Sequence, residues 1–170
     1  MIELLPYIEF NGTRTLSDDV LKEVFATIKR EGTLATVFCD GKVSSPEDFI
    51  FTMKNPSNIV VFILLDGQIK GFAWINGCSD NYAFAHFCFF KEVWGKAEAM
   101  GKAVLDYWFK FPGVEGPLFD LILGLMPKFN QRAQKFVERL GFVRVGEIPK
   151  MAVRGTDRVP SVVSYLLRTQ

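Results

Sequence analysis

KEVWGKAEAMG, residues 91–101, is the stretch on which the reading of the whole chain turns. It sets a Trp-Gly-Lys-Ala run between an apolar, strand-like segment, AFAHFCFF at 83–90, and a helix-like one, KAVLDYWFKF at 102–111. A small-residue turn that feeds a helix N-terminus either only turns the chain or holds an anion. The second option exists because the first backbone N–H groups of the helix have no intrahelical partner and point outward. The flanking segments decide between the two.

Downstream, Ala97, Met100, Gly101, Val104, Leu105 and Trp108 share one helical face. Glu98, Lys102, Asp106 and Lys110 alternate in sign along another face and read as a solvated stripe. Gly101 costs about 1 kcal/mol relative to Ala inside a helix, which implies a close approach, read here as packing on the neighbouring strand. After Gly113 and Gly116-Pro117, FDLILGL at 119–125 fits a buried strand, so strand, helix and strand predict a parallel crossover. A last helix spans Gln131 to Leu140 and closes at Gly141. FVRVGEI at 142–148 and SVVSYLL at 161–167 then pair as a hairpin through a long connection over 149–160.

Upstream, NIVVFILL and KGFAWINGC are joined by Asp66-Gly67, a dipeptide suited to a tight hairpin turn. Ser79-Asp80-Asn81 leads on into YAFAHFCFF, which completes a three-stranded antiparallel meander. Before it, Ser17 caps a helix over Asp18–Arg30, whose Val20, Leu21, Val24, Phe25 and Ile28 recur at helical spacing and which ends at Glu31-Gly32. A second helix starts at Ser45-Pro46 and stops at Asn55-Pro56. Residues 2–10, IELLPYIEF, read as a strand whose Pro6 marks an edge or a bulge.

With 170 residues, 49% hydrophobic and 23% charged, the chain suits a single domain over 1–170. Its 20 Lys plus Arg against 19 Asp plus Glu leave a net charge of +1. No basic block interleaved with aromatics marks a nucleic-acid track, so no nucleic acid is expected. The longest apolar run, IVVFILL at 59–65, is far short of the roughly 20 residues of a membrane span, so no membrane partner is expected. MIELLPYIEFNG has neither a positive n-region nor a small-residue cleavage site, which makes the cytoplasm the expected address. Cys39, Cys78 and Cys88 lack the close spacing of a redox or zinc motif and read as reduced thiols. His86 is the only histidine, and no metal is expected.

Three segments in this order resemble the GNAT family of acyl-CoA-dependent N-acyltransferases, and within it the ribosomal-protein N-terminal acetyltransferase branch. DGQIKGFAWI looks like the family's second hairpin, KEVWGKAEA like its P-E-x-W-G-K-G-x-A loop, and NQRAQKFVERLGFVRVG like its N-x-x-A-x-x-x-x-x-x-x-G-F-x-x-x-G segment. The resemblance runs from about Asn58 to Ile148. It implies an α+β fold: a mostly antiparallel twisted sheet of about seven strands with one splayed parallel pair, flanked by about four helices. It also implies acetyl-CoA as co-substrate and transfer of its acetyl group to a primary amine, which is a protein N-terminus, a lysine or a small amine. A homodimer is left open.

By the same resemblance Trp94, Gly95, Lys96 and Ala97 wrap the coenzyme A pyrophosphate, with Phe89, Asn130 and Arg132 also at the cofactor. Each has a plainer reading: Lys96, Arg132 and Lys135 as solvated charge, and Asn130 as a helix cap. Pro127 suits a strand splaying away to open the pantetheine slot. Glu92 stands where the family carries Arg or Gln, which puts a negative charge near the phosphates. Many relatives place a thiolate-protonating tyrosine where this chain has Val137, so Tyr165, Ser164 or water must act instead, or the chain acetylates poorly.

For the base, His86 is the leading candidate, since an unperturbed pKa near 6.5 suits proton transfer at neutral pH, with Glu92 and Asp120 behind it. A buried structural histidine is the plainer reading. Cys88 shares the face of His86 and opens the option of a Cys-His acyl-enzyme, against core filler. Backbone N–H groups of the strand over 81–90 are candidates to polarise the thioester carbonyl. Phe84, Phe87, Phe89 and Phe90 read as core with room for an aromatic acceptor pocket. Two other readings stay open: a non-catalytic acyl-CoA-binding module on the same fold, and a structural α+β protein whose WGKA turn binds nothing.

Overall fold

The computed structural model describes residues 1–169. The chain opens with β1 (Ile2–Pro6) and a small hairpin of β2 (Glu9–Phe10) and β3 (Thr13–Arg14), followed by helices α1 (Asp18–Arg30), α2 (Leu34–Val37) and α3 (Pro46–Lys54). Strands β4 (Ile59–Leu65), β5 (Gln68–Asn76) and β6 (Tyr82–Phe89) lead through a 3-10 helix, Lys91–Lys96, into α4 (Ala97–Phe109). Then come β7 (Leu121–Pro127), α5 (Gln131–Arg139), β8 (Val143–Arg154) and β9 (Asp157–Leu167). The main sheet runs β1-β4-β5-β6-β7-β9-β8, and only β6 and β7 pair in parallel.

The near-continuous apolar run of β4 is explained by helices on both sheet faces. Successive side chains in a strand point to opposite faces. Val61 and Ile63 bury against Met100, Val104 and Trp108 of α4, in a core that also holds Phe136 and Leu140. Val60 and Phe62 bury on the other face with Leu21, Phe25 and Ile28 of α1 and Phe49 and Met53 of α3. Helices α1 and α3 start where the sequence marks them. Ser17 accepts from the Val20 N–H, and Ser45 with Asp48 forms a reciprocal capping box. Asp66 and Gly67 both take positive φ, 53° and 76°, as the tight turn between β4 and β5 requires.

Three local expectations are revised. The strand over 2–10 ends at Pro6, because Asn11 and Gly12, both at positive φ, fold Glu9–Phe10 back onto Thr13–Arg14. The connection over 149–160 is no loop. Both strands continue through it to a turn at Gly155, with register shifts near Gly146 and between Ile148 and Ala152, where Lys150 has φ 58°. Gly101 meets α5 rather than a strand: a Cβ there would lie 2.7 Å from the Phe136 ring and 3.0 Å from Leu140. The segment after α1 holds the single-turn helix α2, too short to show a period.

A bulge shapes the centre of the sheet. Register between β4 and β5 shifts after Ile63, which faces Gly71, while Leu64 faces Ile69. The intervening Lys70 is thereby turned toward the 3-10 helix. Gly71 lets β6 approach closely, since a Cβ would sit 2.5 Å from the Cys88 carbonyl oxygen. Gly71→Ala is therefore expected to destabilise by about 1–3 kcal/mol, lowering Tm by roughly 2–4 °C per kcal/mol. Gly95→Ala, whose Cβ would meet nothing within 4 Å, should leave Tm in place. Thermal melts of both variants check the pair.

Candidate functional site

The parallel pairing of β6 with β7 covers only Tyr82, Ala83 and Phe84 against Leu121, Ile122 and Leu123. Beyond it the strands part. β7 follows β9, with which it pairs along its whole length from Leu121–Leu167 to Pro127–Ser161. Phe136 of α5 stands edge-on to Phe87 and Phe89, ring centroids 5.4 Å away in each case. A cleft of about 990 Å³ fills the gap, with Ala85–Phe89 on one wall and Gly124–Pro127 on the other. Backbone groups on the facing edges of these segments have no strand partner, and the cleft provides room for a ligand that would satisfy them.

The cleft reaches both faces of the sheet. Thr33, Thr36, Val37 and Trp74 line its end under α1 and α2, and Phe129–Ala133, Lys135 and Val137 its end under α5. Alternation along β6 turns Ala85, Phe87 and Phe89 to the α4–α5 side and His86 and Cys88 to the other.

His86 lies flat on Trp74, ring centroids 4.5 Å apart and planes within 7°, and its Nε2 is 3.1 Å from Asn76 Oδ1. Burial pushes its pKa down to about 4, so it is neutral at physiological pH and lacks the ordinary value near 6.5 on which its selection as a base rested. Cys88 shares its face, as strand alternation predicts. Burial, reinforced by the charge of Glu31, pushes its pKa up and keeps it a thiol, which removes the basis for a Cys-His nucleophile.

Around the predicted loop, Trp94 and Ala97 line the cleft, whereas Gly95 and Lys96 are exposed beside it. The run is a 3-10 helix rather than an open turn. Val93 N–H bonds Phe90 O at 3.1 Å, and Ala97 N–H bonds Trp94 O. The next unpaired amides belong to the first turn of α4, which has no side-chain cap. The Trp94 indole donates to Phe89 O at 3.1 Å, and the Arg132 guanidinium lies 3.7 Å over its ring. Glu92 is drawn aside: Lys70 Nζ, freed by the bulge, donates to its Oε1 at 2.8 Å. Asn130 both lines the cleft and caps α5, its Oδ1 accepting from Ala133 N–H at 3.1 Å.

Lys91, Arg132, Lys135 and Arg139 line the cleft, and among the described residues no carboxylate does. Val137 offers no proton donor at the wall. Tyr165 stands on β9 between Leu123 and Val143, off the cleft, and Asp120 is also outside it, paired with Arg168 at 2.6 Å. Sequence reading missed Glu31, whose Oε2 accepts Lys91 N–H at 3.0 Å and ties the end of α1 to the start of the 3-10 helix. It also missed Trp74, which only the register opposite His86 brings to the site. No group of His, Cys, Asp and Glu among the described residues could hold a metal ion.

No protein-family model matches the sequence, and no curated protein matches it. Solved structures do match in fold. The chain is similar to spermidine N-acetyltransferase from Vibrio cholerae in complex with CoA and spermine, with TM-score 0.74, 14% identity, and 98% of this chain and 95% of that one covered. It is also similar to RimL, the ribosomal L7/L12 alpha-N-protein acetyltransferase, in complex with coenzyme A: TM-score 0.71, 12% identity, 89% and 90% covered. A third is a GNAT-family acetyltransferase from Streptococcus pneumoniae, at TM-score 0.64, 16% identity, 98% and 100% covered. The chain has the fold of the GNAT acetyltransferases, as the three sequence segments implied. The spermidine and ribosomal enzymes match it about equally, so the fold does not choose between their branches.

The half-buried His86 has a consequence for stability. Its folded pKa lies below its unfolded value, so its neutral form is favoured by folding. The associated stability is complete above about pH 6.5 and is lost as pH falls toward 4, by up to roughly 3 kcal/mol. Urea midpoints between pH 4 and 7 should therefore drop more for the parent chain than for His86→Gln.

Proposed function

We propose that this chain is an acetyl-CoA-dependent N-acetyltransferase that passes the acetyl group directly to a primary amine in a ternary complex. The observation that carries this reading is the parted β6–β7 pair, a cleft that runs through the sheet and so admits a donor from one face and an acceptor from the other. Acetyl-CoA supplies an activated thioester. The unpaired edges of Ala85–Phe89 and Gly124–Pro127 suit an extended amide-bearing arm, and Asn130 stands beside that path. Arg132, Lys135 and Arg139, with the uncapped start of α4, suit the phosphates, and Gly95 and Lys96 lie next to them.

On the acceptor side the amine must be neutral to attack. With its pKa near 4, His86 is a poor proton sink at neutral pH. Its role in this reading is to orient the nitrogen while water takes the proton. Attack forms the C–N bond, the carbonyl oxygen gains charge beside backbone N–H groups of β6, and the C–S bond then breaks.

Acetyl-CoA at a hundredfold excess over Kd should stabilise the fold by about 2.7 kcal/mol, a rise of roughly 5–10 °C in Tm. A thiol-release assay over peptides with free N-termini, lysine and small amines should show turnover. Binding without turnover on any amine would favour the non-catalytic module that Val137 suggests, and absence of binding by calorimetry would sink both. Arg132→Ala should weaken acetyl-CoA binding about tenfold at low salt, and less at high salt where the exposed charge is screened.

A further inference from the structure

A row of flat rings crosses the α1–α2 face of the sheet and ends at the cleft. Phe72 and Trp74 of β5 lie 16° from parallel with centroids 5.8 Å apart, and His86 of β6 follows on Trp74 at 7°. Phe38, just past α2, also stacks on Trp74, 13° from parallel. Trp74 is 5% exposed and serves as backing, whereas His86 is half-buried and lines the cleft. Trp74 takes one face of the imidazole. The strand that would cover the other, β7, has parted from β6 at that level.

The register identifies the neighbour that the imidazole has lost. The parallel pairs advance one for one from Tyr82–Leu121 to Phe84–Leu123, so a continued ladder would set Leu125 against His86. Ile122 and Met126 pack on the α4–α5 side, so alternation turns Leu125 to the α1–α2 side with His86. Both residues line the cleft. The parting therefore leaves a slot between a flat ring and a branched aliphatic side chain, standing out of the sheet above the path that suits the arm of acetyl-CoA. Gly32 and Thr36, both exposed, lie at the same end. Among the described residues no carboxylate lines the cleft, and Glu31, next to Gly32 in the chain, accepts the Lys91 N–H at 3.0 Å. A polyamine carries further ammonium groups, which a desolvating pocket tolerates only beside opposite charge. A flat apolar ring suits the slot, since aromatic groups favour offset stacks.

We propose that the slot between His86 and Leu125 selects acceptor amines that carry a flat aromatic ring, and that it discriminates against polyamines. The inference rests on the acetyltransferase reading and names the acceptor class for that same site. The amine nitrogen forms the C–N bond and releases one proton to water. The C–S bond breaks with its electron pair on sulfur, which takes one proton from water, so amine and thioester give amide and thiol.

The test measures kcat/KM by thiol release for four amines: 2-phenylethylamine, 2-cyclohexylethylamine, ethylamine and spermidine. The parent chain should prefer 2-phenylethylamine to each of the other three by about tenfold or more. The ratio of phenyl to cyclohexyl substrate is then read in variants shown by melting to be folded, so that any general loss of rate cancels. His86→Ala should collapse that ratio to about one, and His86→Phe, which keeps a flat face without the ring nitrogens, should retain it. Leu125→Trp fills the slot from the other wall and should lower 2-phenylethylamine relative to ethylamine by about tenfold. A parent that turns over spermidine, ethylamine or the cyclohexyl amine as well as the phenyl one overturns this inference and leaves the acetyltransferase reading standing. So does a folded His86→Ala chain that keeps the parent's ratio. A parent chain that acetylates no amine overturns the acetyltransferase reading and this inference with it.

Discussion

Everything at the candidate site depends on a pairing that stops. β6 and β7 hold each other through Phe84 and Leu123 and then diverge, β7 keeping its pairing with β9 along its whole length and β6 its pairing with β5. Between the two loyalties the sheet opens. Phe136 occupies the α5 side of the gap against Phe87 and Phe89, so the opening is supported by packed aromatic rings. Had β6 and β7 paired to their ends, the backbone groups of Ala85–Phe89 would be satisfied by strand and no route would cross the sheet.

The electrostatics follow from that geometry. The cationic side chains Arg132, Lys135 and Arg139 at one end of the cleft favour an anionic ligand there. The departures from the family pattern lie close to this cleft. Glu92, a wrong-signed residue for a phosphate loop, is held by Lys70, which can reach it because the bulge at Gly71 turns the end of β5. Val137 leaves an apolar patch on the cleft wall.

His86 illustrates how one group is assigned by its surroundings. Its stack on Trp74 and its contact with Asn76 make it a well-ordered side chain, and burial strips it of the basicity that made it attractive.

Local physics determined most of the elements from sequence alone. Ser17 and Ser45 caps, the Asp66-Gly67 turn, the apolar face of α4 and the Gly141 stop are each settled within a few residues, so their signals survive without tertiary context. The order of those elements, with the three family-like segments, carried the fold. What the sequence alone could not supply were relations between distant segments: that Gly101 meets α5, that Trp74 lies under His86, and that Glu31 bonds the amide of Lys91. Burial is likewise a property of the assembled layers, so neither the depressed pKa of His86 nor the raised one of Cys88 was legible in AHFC. Helix caps and turns are local contacts, whereas register and desolvation are set only when strands far apart in the chain are brought side by side.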